Sequence, residues 1–120
     1  MKKFTIIVKT QFDFTHRYEN APDKVAFLRS PHRHKFYVEV EIEVFHDDRE
    51  LEFLMVKEKL EHHLMVATKC LGRSMWQETA SCEQMCEGLL NFIIKSYGER
   101  DVTVSVFEDN ENGGKLRYER

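Results

Sequence analysis

From Phe36 to Val44 the chain alternates almost perfectly. Phe36, Val38, Val40, Ile42 and Val44 take the even positions and Glu39, Glu41 and Glu43 fall among the odd ones. A period of two predicts a strand with one dry face and one wet face, here over Pro31 to Phe45, with "HDDRE" ending it. An earlier run, "FTIIVKTQFDF" at Phe4 to Phe14, is rich in β-branched and aromatic residues and predicts a first strand. Asn, Pro and Asp mark Glu19 to Pro31 as the loop between them. The period then changes. Phe53, Val56, Leu60, Leu64, Ala67 and Leu71 recur at helical spacing, and Gly72 is a stop signal. "SCEQ" at Ser81 to Gln84 is a capping-box pattern. It starts a second helix that runs to Tyr97, with Met85, Leu89, Phe92 and Ile93 on one stripe and Gly98 at its end. Val102, Val104 and Val106 alternate again. "DNENGG" is a hairpin turn, and Lys115 to Tyr118 a short fourth strand. The order ββααββ predicts an α+β fold, with two helices on one face of a four-stranded antiparallel sheet.

Composition adds limits. A chain of 120 residues is read as a single domain, residues 1–120, with one core. A hydrophobic content of 42% with 12% aromatics argues for a folded globule. A net charge of -3 offers no electrostatic case for nucleic acid or for an anionic membrane. No apolar run approaches the length of a membrane span. "MKKFTIIVKTQF" lacks a long apolar core and reads as a strand rather than a signal peptide. Three cysteines without an export signal predict reduced thiols and a cytoplasmic protein.

The candidate chemistry is carried by histidines. His32 and His34 stand at the mouth of the second strand, two residues apart and so on one face. A strand that fixes two imidazoles side by side supplies a pair of metal ligands. His16, in "FDFTHRY", follows the first strand. If the two strands pair as a hairpin, it lies beside the other two. Three histidines then make an open zinc site with room for water or substrate. The plainer reading is a set of surface residues near Pro31 and the loop. His46 sits beside two aspartates at a strand end. His62 and His63 are adjacent on a helix, where neighbours diverge by about 100° and cannot chelate together.

Taken in order, five short motifs resemble one known family, that of 6-pyruvoyltetrahydropterin synthase and 6-carboxytetrahydropterin synthase. "FDFTH" resembles its first zinc motif. "HRHKFYVEVEIEV" is similar to its His-Gly-His strand, with Arg33 in place of Gly. "LEF" at Leu51 to Phe53 resembles the start of its first helix, with Glu52 in place of Asp. "SCE" at Ser81 to Glu83 resembles the Thr-x-Glu start of its second helix. "VFED" at Val106 to Asp109 resembles the last motif. The resemblance spans nearly the whole chain. It implies the tunnelling fold, whose subunits join edge to edge into a barrel, and hence a homo-oligomer of three or six chains. It also implies Zn2+ on His16, His32 and His34, and a reduced pterin held by Glu108.

Two departures bear on activity. The family carries a Cys a few residues before its His-x-His. Here the matching place is Leu28, and no Cys occurs before Cys70. The family's Asp-His relay falls near Thr68 to Cys70 without gaps. Placing it on "LEHHL" instead needs a deletion of about two helical turns and breaks the apolar stripe. The family reactions move protons on a reduced pterin of the dihydroneopterin triphosphate class, with zinc as Lewis acid and a thiolate or imidazole as base. Cys70 is the candidate base, entering from a neighbouring subunit; its plainer role is a small core residue. Cys82 and Cys86 read as packing thiols. The resemblance therefore implies either a zinc-dependent pterin lyase with a substituted base or a catalytically silent paralogue that binds a pterin. The histidine triple disfavours a metal-free pterin aldolase of the same fold.

Overall fold

In this computed structural model, residues 1–69 and 76–120 are described. The first strand, β1 (Phe4–His16), pairs antiparallel with β2 (His32–Val44), and β2 pairs antiparallel with β3 (Val102–Glu108). That strand pairs in turn with β4 (Gly113–Tyr118), giving the sheet order β1-β2-β3-β4. The helices α1 (Phe53–Lys69) and α2 (Cys82–Tyr97) lie between β2 and β3 in the chain. The fold is α+β with a four-stranded antiparallel sheet, as the alternating periods predict. One element was not foreseen. The segment read as a plain loop contains a 3-10 stretch, Asp23–Arg29, with a break at Val25, so the element order is not simply ββααββ. Arg29 holds this stretch closed by donating to the Ala21 carbonyl and to Asp23. Seven residues with a break at Val25 are too few to register a period, and the turn signals Asn20 and Pro22 stand just ahead of them.

The strand alternation becomes a core layer. Phe36, Val38, Val40 and Ile42 of β2 and Val102, Val104 and Val106 of β3 are all buried. They meet Val56, Leu60 and Leu64 of α1 and Met85, Cys86, Leu89 and Ile93 of α2. Phe36 is fully buried and stacks on Phe12 at 5.2 Å. Removing such a ring from a core costs about 3–5 kcal/mol. The predicted capping box is present: Ser81 accepts from the Gln84 amide, and Gln84 accepts from the Ser81 amide. Gly72, the predicted stop of α1, lies outside the described residues.

Strand β1 runs two residues further than its composition suggests, and this extension places His16 in the sheet rather than in a loop. The other local feature that shapes the site is the β3–β4 turn. Asp109 and Asn110 both have positive φ, 51° and 58°. The chain then returns so tightly that a Cβ on Gly113 would lie 2.0 Å from the Val106 carbonyl oxygen. Only glycine fits there.

Candidate metal centre

The strand register assembles the site. His16 is the β1 partner of His32, Phe14 is the partner of His34, and Phe36 pairs with Glu108 across β2 and β3. All of these even-numbered residues point to the helix-covered face. The three imidazoles therefore crowd the end of the core layer, with ring centroids 4.6, 5.0 and 5.6 Å apart. One ligand nitrogen from each lies within 4.8 Å of the other two. The sequence-predicted triple is thus close enough to hold a metal ion. His16 is 7% exposed, while His32 and His34 are half-buried.

Each ring is oriented from behind. His16 Nδ1 lies 2.9 Å from the Ala80 carbonyl oxygen, just ahead of the α2 cap. His32 Nδ1 lies 2.9 Å from the Ser30 carbonyl oxygen. His34 Nδ1 lies 2.7 Å from an Asp109 carboxylate oxygen. Carbonyl and carboxylate oxygens only accept, so each Nδ1 carries a proton, and in the neutral ring it is Nε2 that presents a lone pair. This is the outer support that metal-binding histidines ordinarily have.

His16 Nε2 is buried and has no hydrogen-bond partner. Burial, ahead of every other influence, pushes the His16 pKa below its ordinary value, so the ring stays neutral at pH 7. A neutral, oriented and unsatisfied nitrogen at the focus of three imidazoles fits a bound cation. Three imidazole nitrogens with a carboxylate nearby suit a borderline-soft divalent ion.

Glu108 enters this cluster directly. Its Oε1 lies 3.4 Å from His16 Nε2 and its Oε2 lies 3.5 Å from His34 Nε2. The Cys82 thiol lies 4.0 Å behind Oε1. Burial, with Glu108 adding to it, pushes the Cys82 thiol up to about 12. Cys86 is buried among the Val104 and Gly114 carbonyls, and burial pushes its thiol up to about 11. Both are protonated packing thiols at neutral pH.

Other residues singled out in the sequence lie away from this point. Cys70 falls outside the described residues. Leu28 sits half-buried in the 3-10 stretch and offers only its carbonyl, to the Tyr18 amide at 2.7 Å. His63 packs flat on Phe92 with ring centroids 4.1 Å apart, and His62 beside it is exposed. His46 Nδ1 accepts from the Asp48 amide in an exposed turn. The part played by Asp109 was not foreseen. Its only sequence signal is its place next to Glu108 at a turn, and the cross-strand register is needed to bring it to His34.

Among the described residues, no helix is long and apolar enough to cross a membrane. No family model matches the chain, and no curated protein matches it.

Proposed function

We propose that the chain binds zinc through His16, His32 and His34 and holds a reduced pterin beside it. In this reading it is a protein of the 6-pyruvoyltetrahydropterin synthase and 6-carboxytetrahydropterin synthase kind, assembled edge to edge from three or six copies. The observation that carries the reading is the histidine triple, in which each Nδ1 is anchored and the buried Nε2 of His16 has no hydrogen-bond partner, next to the Glu108 carboxylate. Zinc bound there would supply Lewis-acid polarisation of substrate oxygens. The residues themselves do the rest. The histidines hold the ion, Asp109 and the Ala80 and Ser30 carbonyls orient them, and Glu108 offers two parallel acceptors. A pterin presents a ring N–H and a 2-amino group side by side, which matches such a carboxylate.

A second reading, a pterin-binding paralogue without turnover, is favoured by one feature. At the place where the resemblance calls for a thiol, Leu28 has no proton to move. The ordinary family reaction on dihydroneopterin triphosphate should accordingly be slow or absent. Robust turnover that survives Cys70→Ala would place the base elsewhere, with His62 and His63 next in line.

Two measurements test the main reading. Purified protein should carry one zinc per chain, and His32→Ala or His34→Ala should strip it; stoichiometric zinc in the double variant would sink the site. In calorimetric titration with neopterin, Glu108→Gln should lose about a hundredfold or more in affinity, because a donor then faces a donor. Glu111→Gln, three residues on, should change little. Equal affinities for the two variants would remove Glu108 from the pterin site.

A further inference from the structure

The Glu108 carboxylate faces a problem of its own. Nδ1 of His16 and Nδ1 of His34 both face acceptor oxygens, so in the neutral form that binds a metal both Nε2 atoms present lone pairs. Those two lone pairs meet the two oxygens of one carboxylate, at 3.4 and 3.5 Å. Acceptors facing acceptors at this range repel unless something positive lies between them. The spacing itself is informative. Zinc held tetrahedrally by nitrogen and oxygen at about 2.0–2.1 Å places neighbouring ligand atoms roughly 3.3 Å apart. Both carboxylate-to-imidazole distances are close to that edge.

We infer that Glu108 is a fourth, displaceable ligand of the metal held by His16, His32 and His34. The inference rests on the zinc reading above and goes beyond it. Four protein ligands make a closed site of the structural kind, whereas three leave a position for chemistry. One carboxylate cannot bind the metal and the edge of a pterin with the same oxygens. The resting centre is therefore capped. An arriving pterin would draw Glu108 off, and the same movement would leave the three histidines holding the ion with one position open. Recognition of the ring and exposure of the metal become one event, so a small ligand without the ring's paired donors finds the metal closed. The turn that carries Glu108 is anchored through Asp109 to His34 and Lys35, so the carboxylate moves about a fixed backbone.

Cobalt substitution tests this without turnover. The zinc-free protein is loaded with Co2+, affinity is measured by chelator competition, and azide is added as a small probe for an open position. The wild-type chain should bind one Co2+ with a visible spectrum that azide leaves unchanged. Glu108→Ala should weaken Co2+ binding by about ten- to a hundredfold, the range seen when a supporting group of a metal site is removed. Its spectrum should then shift with azide. Glu108→Gln keeps the size of the side chain without the charge and should behave like Glu108→Ala. Equal affinity and equal azide response in all three proteins would overturn the fourth-ligand role and leave the three-histidine site standing. A wild-type chain that binds no Co2+ would overturn both.

Discussion

His34 lies between two consecutive carboxylates: Asp109 accepts from Nδ1 at 2.7 Å, and Glu108 faces Nε2 at 3.5 Å. The two acids leave the same end of β3. They reach opposite sides of one ring because Asp109 has turned into the left-handed region, with φ at 51°. Its other oxygen takes the Lys35 amide at 3.2 Å, and its own amide donates to the Lys35 carbonyl oxygen at 2.7 Å. The turn is thereby tied to the strand that carries two of the three histidines.

Asp109 should therefore govern metal affinity without touching the metal. Asp109→Gly keeps the left-handed backbone and removes the acceptor. It should cost about ten- to a hundredfold in zinc affinity by chelator competition. Asp109→Asn keeps a neutral acceptor and should fall between Gly and wild type. A merely structural role predicts instead that the losses follow thermal stability and not the acceptor. Unchanged zinc affinity in both variants would sink the assignment.

Assembly provides a second test. Strands β1 and β4 are the outer strands of the sheet. Beside the β1 edge, Ile7, Phe53 and Leu54 are more than half exposed. An unpaired edge flanked by apolar surface invites another chain. Light scattering should report three or six copies. Ile7→Lys, which places a charge on the outer strand, should shift the population toward monomer. A monomeric wild-type chain at working concentration would count against the edge-to-edge barrel.

His63 gives a pH dependence independent of the metal. Burial, aided by His62, holds its pKa below the ordinary 6.5, and its Nε2 is buried without a partner. The unfolded chain takes up a proton near 6.5 that the folded chain refuses. The stability linked to this group is thus complete above that pH and declines as the pH falls below it. His63→Phe keeps a ring against Phe92 and removes the titration. Its Tm advantage over wild type should grow between about pH 7.5 and about pH 5. An advantage that stays constant across that range would show that His63 does not titrate on unfolding.

Much of this was legible before any coordinates. The evens of β2 and β3 and the three-four spacing of the helices announce the core, because burial of one face is what those periods record. His32 and His34 were readable for the same reason: they extend the apolar row of β2. His16 was readable only through the pairing of β1 with β2. Its place inside the strand was hidden, since His16 carries no strong strand preference of its own and stands where the strand gives way to the loop. What could not be read is everything that depends on contact between remote segments. The Ala80 carbonyl behind His16, Asp109 behind His34, and the approach of Glu108 to two imidazoles all follow from register and from a left-handed turn. Neither leaves a periodic mark. The 3-10 stretch was missed because seven residues broken at Val25 are too few to show a period, and the Asn and Pro just ahead of them signal a turn.

The supports of the histidines also set the order of events in making the protein. Ala80 lies 64 positions from His16, and Asp109 lies 75 positions from His34. A nascent chain holding only the first hairpin has three imidazoles but nothing to orient two of them. The cluster gains these supports only when α2 and the β3–β4 turn have docked. On the proposed reading, metal capture is then a late step, and a bound ion would act as a clasp on finished structure rather than as a template for it. Zinc should slow the opening of the complete chain far more than it speeds its formation, and a fragment ending before β3 should hold the ion loosely.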